Sequence, residues 1–266
     1  MDALPLTQRQ TWFQEEDQIQ RFRFQEHGII MFKAPGREGK TVLPLIEQFV
    51  AFKLAQGEYV HWIDGACRID PSRLIPFLKS MNAPIEASLS RLFLSRGFTL
   101  HQLHAQLERL PSELAITQST TVIIEGMLCM HEDPQINPCE SRALFRRQCQ
   151  LLKMMIHQQP TQLMMVLGSS RNNYRHPEFI TQLERLSKTM IQGYWKGRGK
   201  NRQLWLLHKE INIHQEFSAI IQLNNLHYSA NLQNRPTSSG FTLEHHAKMN
   251  SVPVCETLYR DSYLET

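Results

Sequence analysis

Short, nearly uninterrupted apolar runs alternate along this chain with longer segments whose apolar residues recur at helical spacing. The apolar runs are residues 28–33 (GIIMFK), 58–63 (EYVHWI), 89–95 (LSRLFLS), 120–124 (TTVII) and 162–167 (QLMMVL). Between them, residues 40–56, 71–81, 99–110 and 141–158 read as helices. A strand that is apolar on both faces is covered on both faces, so the pattern implies a mostly parallel sheet with helices on either side. Residues 189–195 and 203–208 read as a late antiparallel hairpin joined by KGRGKNR. The expected organisation is an N-terminal helical extension over 1–26, an α/β core over 27–225 and a partly mobile C-terminal extension over 226–266.

Composition narrows the classes. The 266 residues carry 29 Lys and Arg against 25 Asp and Glu, a net charge of +4. That permits a nucleic-acid partner without requiring one. Five cysteines, an odd number with no Cys-x-x-Cys pair, argue for reduced thiols rather than a disulfide framework. No apolar run approaches the ~20 residues of a membrane helix, and the start lacks the basic-then-apolar pattern of a signal peptide. The expectation is a soluble, intracellular protein, cytoplasmic or nuclear, with no membrane partner.

The strongest chemical signal lies between the first strand and the first helix: Ala34, Pro35, Gly36, Arg37, Glu38, Gly39, Lys40 and Thr41. The phosphate-loop pattern is Gly-x-x-x-x-Gly-Lys-Ser/Thr, met here except that Ala34 stands at its first position. Backbone N–H groups at a strand-to-helix turn, the helix dipole and the Lys40 ammonium all favour an anion. Thr41 and, at the end of TTVII, Glu125 are the candidate Mg2+ ligands; Glu125 stands where such sites usually carry Asp. Other clusters carry less. His101 and His104 share a helix with no completing ligand, and Cys129, His131 and Cys139 match no usual zinc spacing.

Several segments in order resemble the RecA/RadA family of recombinase ATPases: the loop itself, YVHWIDGACRIDPSRL (59–74), RLFLSRGFTLHQLHAQLERL (91–110), ESRALFRRQCQLLKMM (140–155) and KGRGKNR (196–202). The resemblance covers about residues 28–222. It implies a RecA-like P-loop fold, ATP and Mg2+ as cofactors, DNA (single-stranded) as a partner, and assembly with other RecA-like subunits as a homo- or hetero-oligomer. It places DNA-contacting loops at about 130–140 and 170–183. The candidate DNA-binding residues are therefore Arg171, Tyr174, Arg175 and His176, with Lys196, Arg198, Lys200 and Arg202 on the hairpin.

The departures from the family set the expected activity. Ala66 occupies the position of the water-activating Glu, and Gly168, Ser169 and Ser170 stand where the family has a γ-phosphate-sensing Asn or Gln. With Glu125 in place of Asp, three catalytic positions are altered while Lys40 and Thr41 persist. The implied function is an ATP-binding accessory protein in DNA recombination or repair with weak or no hydrolysis. Two rivals stand beside it. One is a true DNA-dependent ATPase with its base elsewhere, such as Glu38, and the other is a non-catalytic scaffold subunit of a RecA-like ring or heterodimer.

Overall fold

A computed structural model of the chain describes residues 27–158, 160–170, 174–218 and 220–222. The expected N-terminal helix and C-terminal extension lie outside the described residues. Eight strands form one sheet: β1 (Gly28–Ala34), β2 (Val60–Asp64), β3 (Leu92–Arg96), β4 (Thr121–Glu125), β5 (Gln162–Gly168), β6 (Thr189–Lys196), β7 (Gln203–His208) and β8 (Ile213–Glu216). Their order across the sheet is β3-β2-β4-β5-β1-β6-β7-β8. The first six are parallel; β7 and β8 are added antiparallel. The expected α/β architecture and late hairpin are present. β8 is an addition, since INIHQE carries too few apolar residues to announce a strand.

The helices are α1 (Leu43–Ala55), α2 (Ile75–Ser80), α3 (Ile85–Leu89), α4 (Leu100–Thr117), α5 (Pro138–Gln158) and α6 (Pro177–Leu186). Alternate strand residues feed two cores. Ile30, Phe32, Trp62, Ile123, Met164 and Val166 pack under α1 and α2, joined after β8 by Phe217, Ile220 and Ile221. Ile29, Met31, Val122, Ile124, Leu163 and Met165 pack under α4, α5 and α6. Each fully buried aliphatic or Phe side chain contributes roughly 1.5–3 kcal/mol. None of the described helices is long and apolar enough to cross a membrane.

α4 runs seven residues beyond the expected end. Thr99 caps its start, its Oγ1 accepting from the Gln102 N–H at 3.2 Å. Pro111 lies inside it, yet the buried stripe Leu103, Leu107, Leu110 continues to Leu114, and packing of that face outweighs the lost backbone donor. The helix stops at Gln118, which takes a left-handed φ of 55°.

Two crossovers make this sheet asymmetric. From β1 the chain passes by α1 over the first face to β2, skipping β5 and β4. From β5 it passes by α6 over the opposite face to β6, skipping β1. β1 and β5 are neighbours whose connections leave in opposite directions on opposite faces. Ligands of open α/β sheets bind in the crevice at the carboxyl ends of such a pair.

Candidate functional site

The residue 34–41 loop sits in that crevice. Arg37–Val42 form a 3-10 turn, and α1 begins only at Leu43, with Pro44 in its first turn. The helix therefore starts three residues later than the expected Lys40. Inside the turn, Glu38 and Gly39 have positive φ (48° and 71°). Gly39 lies hard against the end of β5, where a Cβ would overlap the Leu167 carbonyl oxygen. Only glycine satisfies both the φ and the approach. Thr41 Oγ1 donates to the Pro35 carbonyl at 2.8 Å, closing the loop on itself. Lys40 is exposed at the rim.

Ala34, the departure at the head of the motif, is buried at the end of β1 without crowding the turn. The room comes from β6. A Cβ on Gly193 would stand 3.1 Å from the Ala34 methyl and 3.2 Å from Pro35 Cδ. The methyl missing at 193 is the space taken at 34.

The most connected side chain of the site is Arg68, which the sequence did not single out. Its Nε donates to Glu125 Oε1 at 2.9 Å and its Nη2 reaches the same oxygen. Nη1 donates to the Arg37 carbonyl at 2.6 Å and Nη2 to the Glu38 carbonyl at 3.3 Å. One guanidinium thus ties the end of β4 to the loop. Asp64, fully buried at the end of β2, holds Arg68 from behind: Oδ1 accepts from the Arg68 backbone N–H at 3.1 Å and Oδ2 from that of Ile69 at 2.9 Å. Arg96 adds a charge on the same carboxylate, Nε to Oδ2 at 3.3 Å.

Glu125 is fully buried, and burial pushes its carboxyl up to about 7 despite Arg68. Its Oε2 has no hydrogen-bond partner. Glu38 is also buried, which raises its carboxyl. Its Oε2 accepts from the Tyr174 hydroxyl at 3.0 Å, and that hydroxyl accepts from the Gly168 N–H at 2.8 Å.

These residues do not fit Mg2+. The cation wants near-octahedral oxygen ligands at about 2.0–2.1 Å. Thr41 Oγ1 gives its proton to Pro35 and keeps its lone pairs, but Glu125 Oε1 is held by Arg68, and Oε2 lies beside a guanidinium whose charge repels a dication. Freeing Glu125 by breaking a buried ion pair costs on the order of 3–5 kcal/mol. Among the described residues no cluster of three metal-ligating side chains occurs.

Ala66, which the resemblance sets at the position of a water-activating base, lies half-buried against Gly126. At the end of β5, the Ser169 N–H donates to the Ala34 carbonyl at 2.9 Å, tying this strand end to β1.

The candidate DNA-binding residues separate into two groups. The expected loop 170–183 is in large part α6, and the loop 130–140 is a 3-10 turn (Cys129–Glu132) leading into α5. Tyr174 and His176 are 7% and 4% exposed; Tyr174 is tied to Glu38, and His176 stacks on Phe179 at 4.7 Å, so neither ring offers an open face to a base. Arg175 is exposed but its Nη1 donates to the carbonyls of Asp133 and Ile136 at 2.9 and 3.0 Å. Arg171 lies outside the described residues. His131, in the neighbouring turn, is a core residue: its ring bridges Ser141 Oγ (2.8 Å) and Gln148 Oε1 (3.0 Å).

The hairpin is different. Arg198 is exposed at its tip, Lys196 Nζ lies 4.2 Å from the Trp205 ring centroid, and Arg202 lies 4.2 Å from that of Trp195. The register pairs Tyr194 with Trp205 and Trp195 with Leu204, so the two cation–aromatic pairs lie on opposite faces of the ribbon. Lys200 falls in the 3-10 turn Gly199–Asn201, its side chain outside the described residues. Compared with known proteins, the chain matches no protein-family model and no curated protein.

Proposed function

We propose that the chain is a RecA-like, ATP-binding accessory protein of DNA recombination or repair, with weak or no ATP hydrolysis. The supporting observation is the placement of Gly39, Lys40 and Thr41 at the carboxyl end of β1, in the crevice where the β1 and β5 crossovers diverge. Lys40 is an exposed cation at that crevice, as Arg37 is, and a triphosphate is the anion whose size and charge suit a backbone turn with a lysine at its rim. Hydrolysis needs an oriented water and a base. Ala66 supplies none, Asp64 is spent on backbone N–H groups, and Glu38 is bonded to Tyr174.

DNA contact in this reading falls to the β6–β7 hairpin, where each face sets a cation beside a Trp ring, Lys196 on Trp205 and Arg202 on Trp195, the residue types that suit single-stranded nucleic acid. Other RecA-like subunits are the protein partners. The scaffold alternative draws on Glu38, whose buried carboxylate adds negative charge inside a loop meant for phosphate. Equilibrium binding of a fluorescent ATP by the full chain and by Lys40→Ala decides between them. Saturable binding lost in the variant supports the nucleotide reading. Absence of binding in both leaves the scaffold.

A further inference from the structure

We infer that this site binds its nucleotide without a divalent cation, the Arg68 guanidinium supplying the positive charge between Glu125 and the loop. The inference rests on the nucleotide reading above and replaces its metal. The guanidinium is held on two sides, by Glu125 Oε1 at the end of β4 and by the Arg37 and Glu38 carbonyls of the loop, while Asp64 fixes the backbone of residues 68 and 69. Its side chain is 23% exposed and so not sealed from solvent. Arginine is charged at every working pH; with Nε, Nη2 and one Nη1 hydrogen spent on Glu125 and the loop carbonyls, a single Nη1–H remains for a phosphate oxygen. Lys40, exposed in the same loop, and Arg68, bonded to its backbone, are then the two cations offered to one anion.

The same contacts shut a metal out. A dication at Glu125 must either displace the guanidinium from Oε1 or sit on Oε2 against its like charge, at a fully buried carboxyl. The residues that the sequence offers for Mg2+ are built into a site that has its own cation.

The experiment is fluorescence anisotropy of a ribose-labelled ATP with the full chain, at matched ionic strength, in excess Mg2+ and in EDTA. The expected result is dissociation constants that agree within about threefold. In EDTA, Arg68→Ala weakens binding by about tenfold or more and Arg68→Lys by less, because it keeps the charge. Binding seen only with Mg2+ overturns the inference and leaves the nucleotide reading standing. Unchanged affinity of Arg68→Ala in EDTA also overturns it. No binding in either medium removes the nucleotide reading and the inference together. Should Arg68→Ala fail to fold, the wild-type pair of measurements and Arg68→Lys decide the matter.

Discussion

Arg68 Nε lies 2.9 Å from Glu125 Oε1, and the same guanidinium reaches the backbone of the loop 30 residues before it in the chain. The pair joins the end of the Glu125 strand to the turn that carries Lys40. It is a structural tie before it is anything chemical, because Glu125 is buried completely and its charge has no solvent to fall back on.

Removing either partner alone therefore costs stability. Arg68→Ala is expected to destabilise by about 3 kcal/mol, with part of the loss recovered by protonation of Glu125. Glu125→Gln costs about 1–3 kcal/mol through the weakened hydrogen bonds to Arg68. The double variant should be clearly less than additive in urea unfolding, with a coupling of at least ~1 kcal/mol. Additivity within about 0.5 kcal/mol means the two side chains do not interact in solution.

The Ala34 and Gly193 exchange gives a second test. Gly193→Ala puts a methyl 3.1 Å from that of Ala34, and overpacking of this kind costs about 1–3 kcal/mol. Ala34→Gly alone costs about 0.5–1 kcal/mol from lost strand propensity and contact. Combined, the two changes restore one methyl to the gap from the other side. Thermal unfolding should place the double variant above Gly193→Ala. A double variant less stable than both singles rules out the shared space.

How far the sequence carried the fold is clear from particular residues. β1, β2, β4 and β5 were legible because each is a continuous apolar run. The start of α1 was not, because the left-handed φ values of Glu38 and Gly39 belong to loop geometry that Gly-Lys-Thr spacing does not encode. α6 was missed because the resemblance assigned 170–183 to a loop, although Phe179, Ile180 and Leu183 carry helical spacing. Arg68 had no local signal at all. The partners of its guanidinium lie 57 and 30–31 residues away, and only the parallel pairing of β2 with β4 brings Asp64 and Glu125 to one sheet end. Tyr174 shows the converse: an aromatic in a basic stretch suggests base stacking until burial shows that its hydroxyl is a bridge between Gly168 and Glu38.

The hairpin prediction concerns salt. If Lys196, Arg198 and Arg202 meet phosphates, affinity for a single-stranded oligonucleotide falls steeply as salt rises. Lys196→Ala and Arg202→Ala should each flatten the slope of log K against log salt by about 0.7. Trp195→Ala should weaken binding by about 1–3 kcal/mol with little change of slope, since a stacked ring releases no counterion. Quenching of Trp fluorescence on binding is the direct signal. Loss of affinity without any change of slope in the Lys196 and Arg202 variants places the phosphates elsewhere.

The pH dependence of stability is set by groups of opposite sign. Burial lowers His131 from 6.5 to about 4, and His61 likewise. Between those values the unfolded chain takes up a proton that the folded one refuses, so each contributes stability present above pH 6.5 and lost as pH falls toward 4, at most ~1.4 kcal/mol per pH unit. Glu125 runs the other way. Its folded value of about 7 lies above the ordinary 4.5, so the folded chain holds a proton that the unfolded one releases, and its contribution grows as pH falls from 7 to 4.5. Glu125→Gln removes that offset and should steepen the loss of urea-unfolding midpoint between pH 7 and pH 5. His131→Gln should make the same profile shallower, whatever it costs in absolute stability, because the neutral amide has no proton to gain. Profiles parallel to that of the wild type in both variants show that neither group changes its protonation on unfolding.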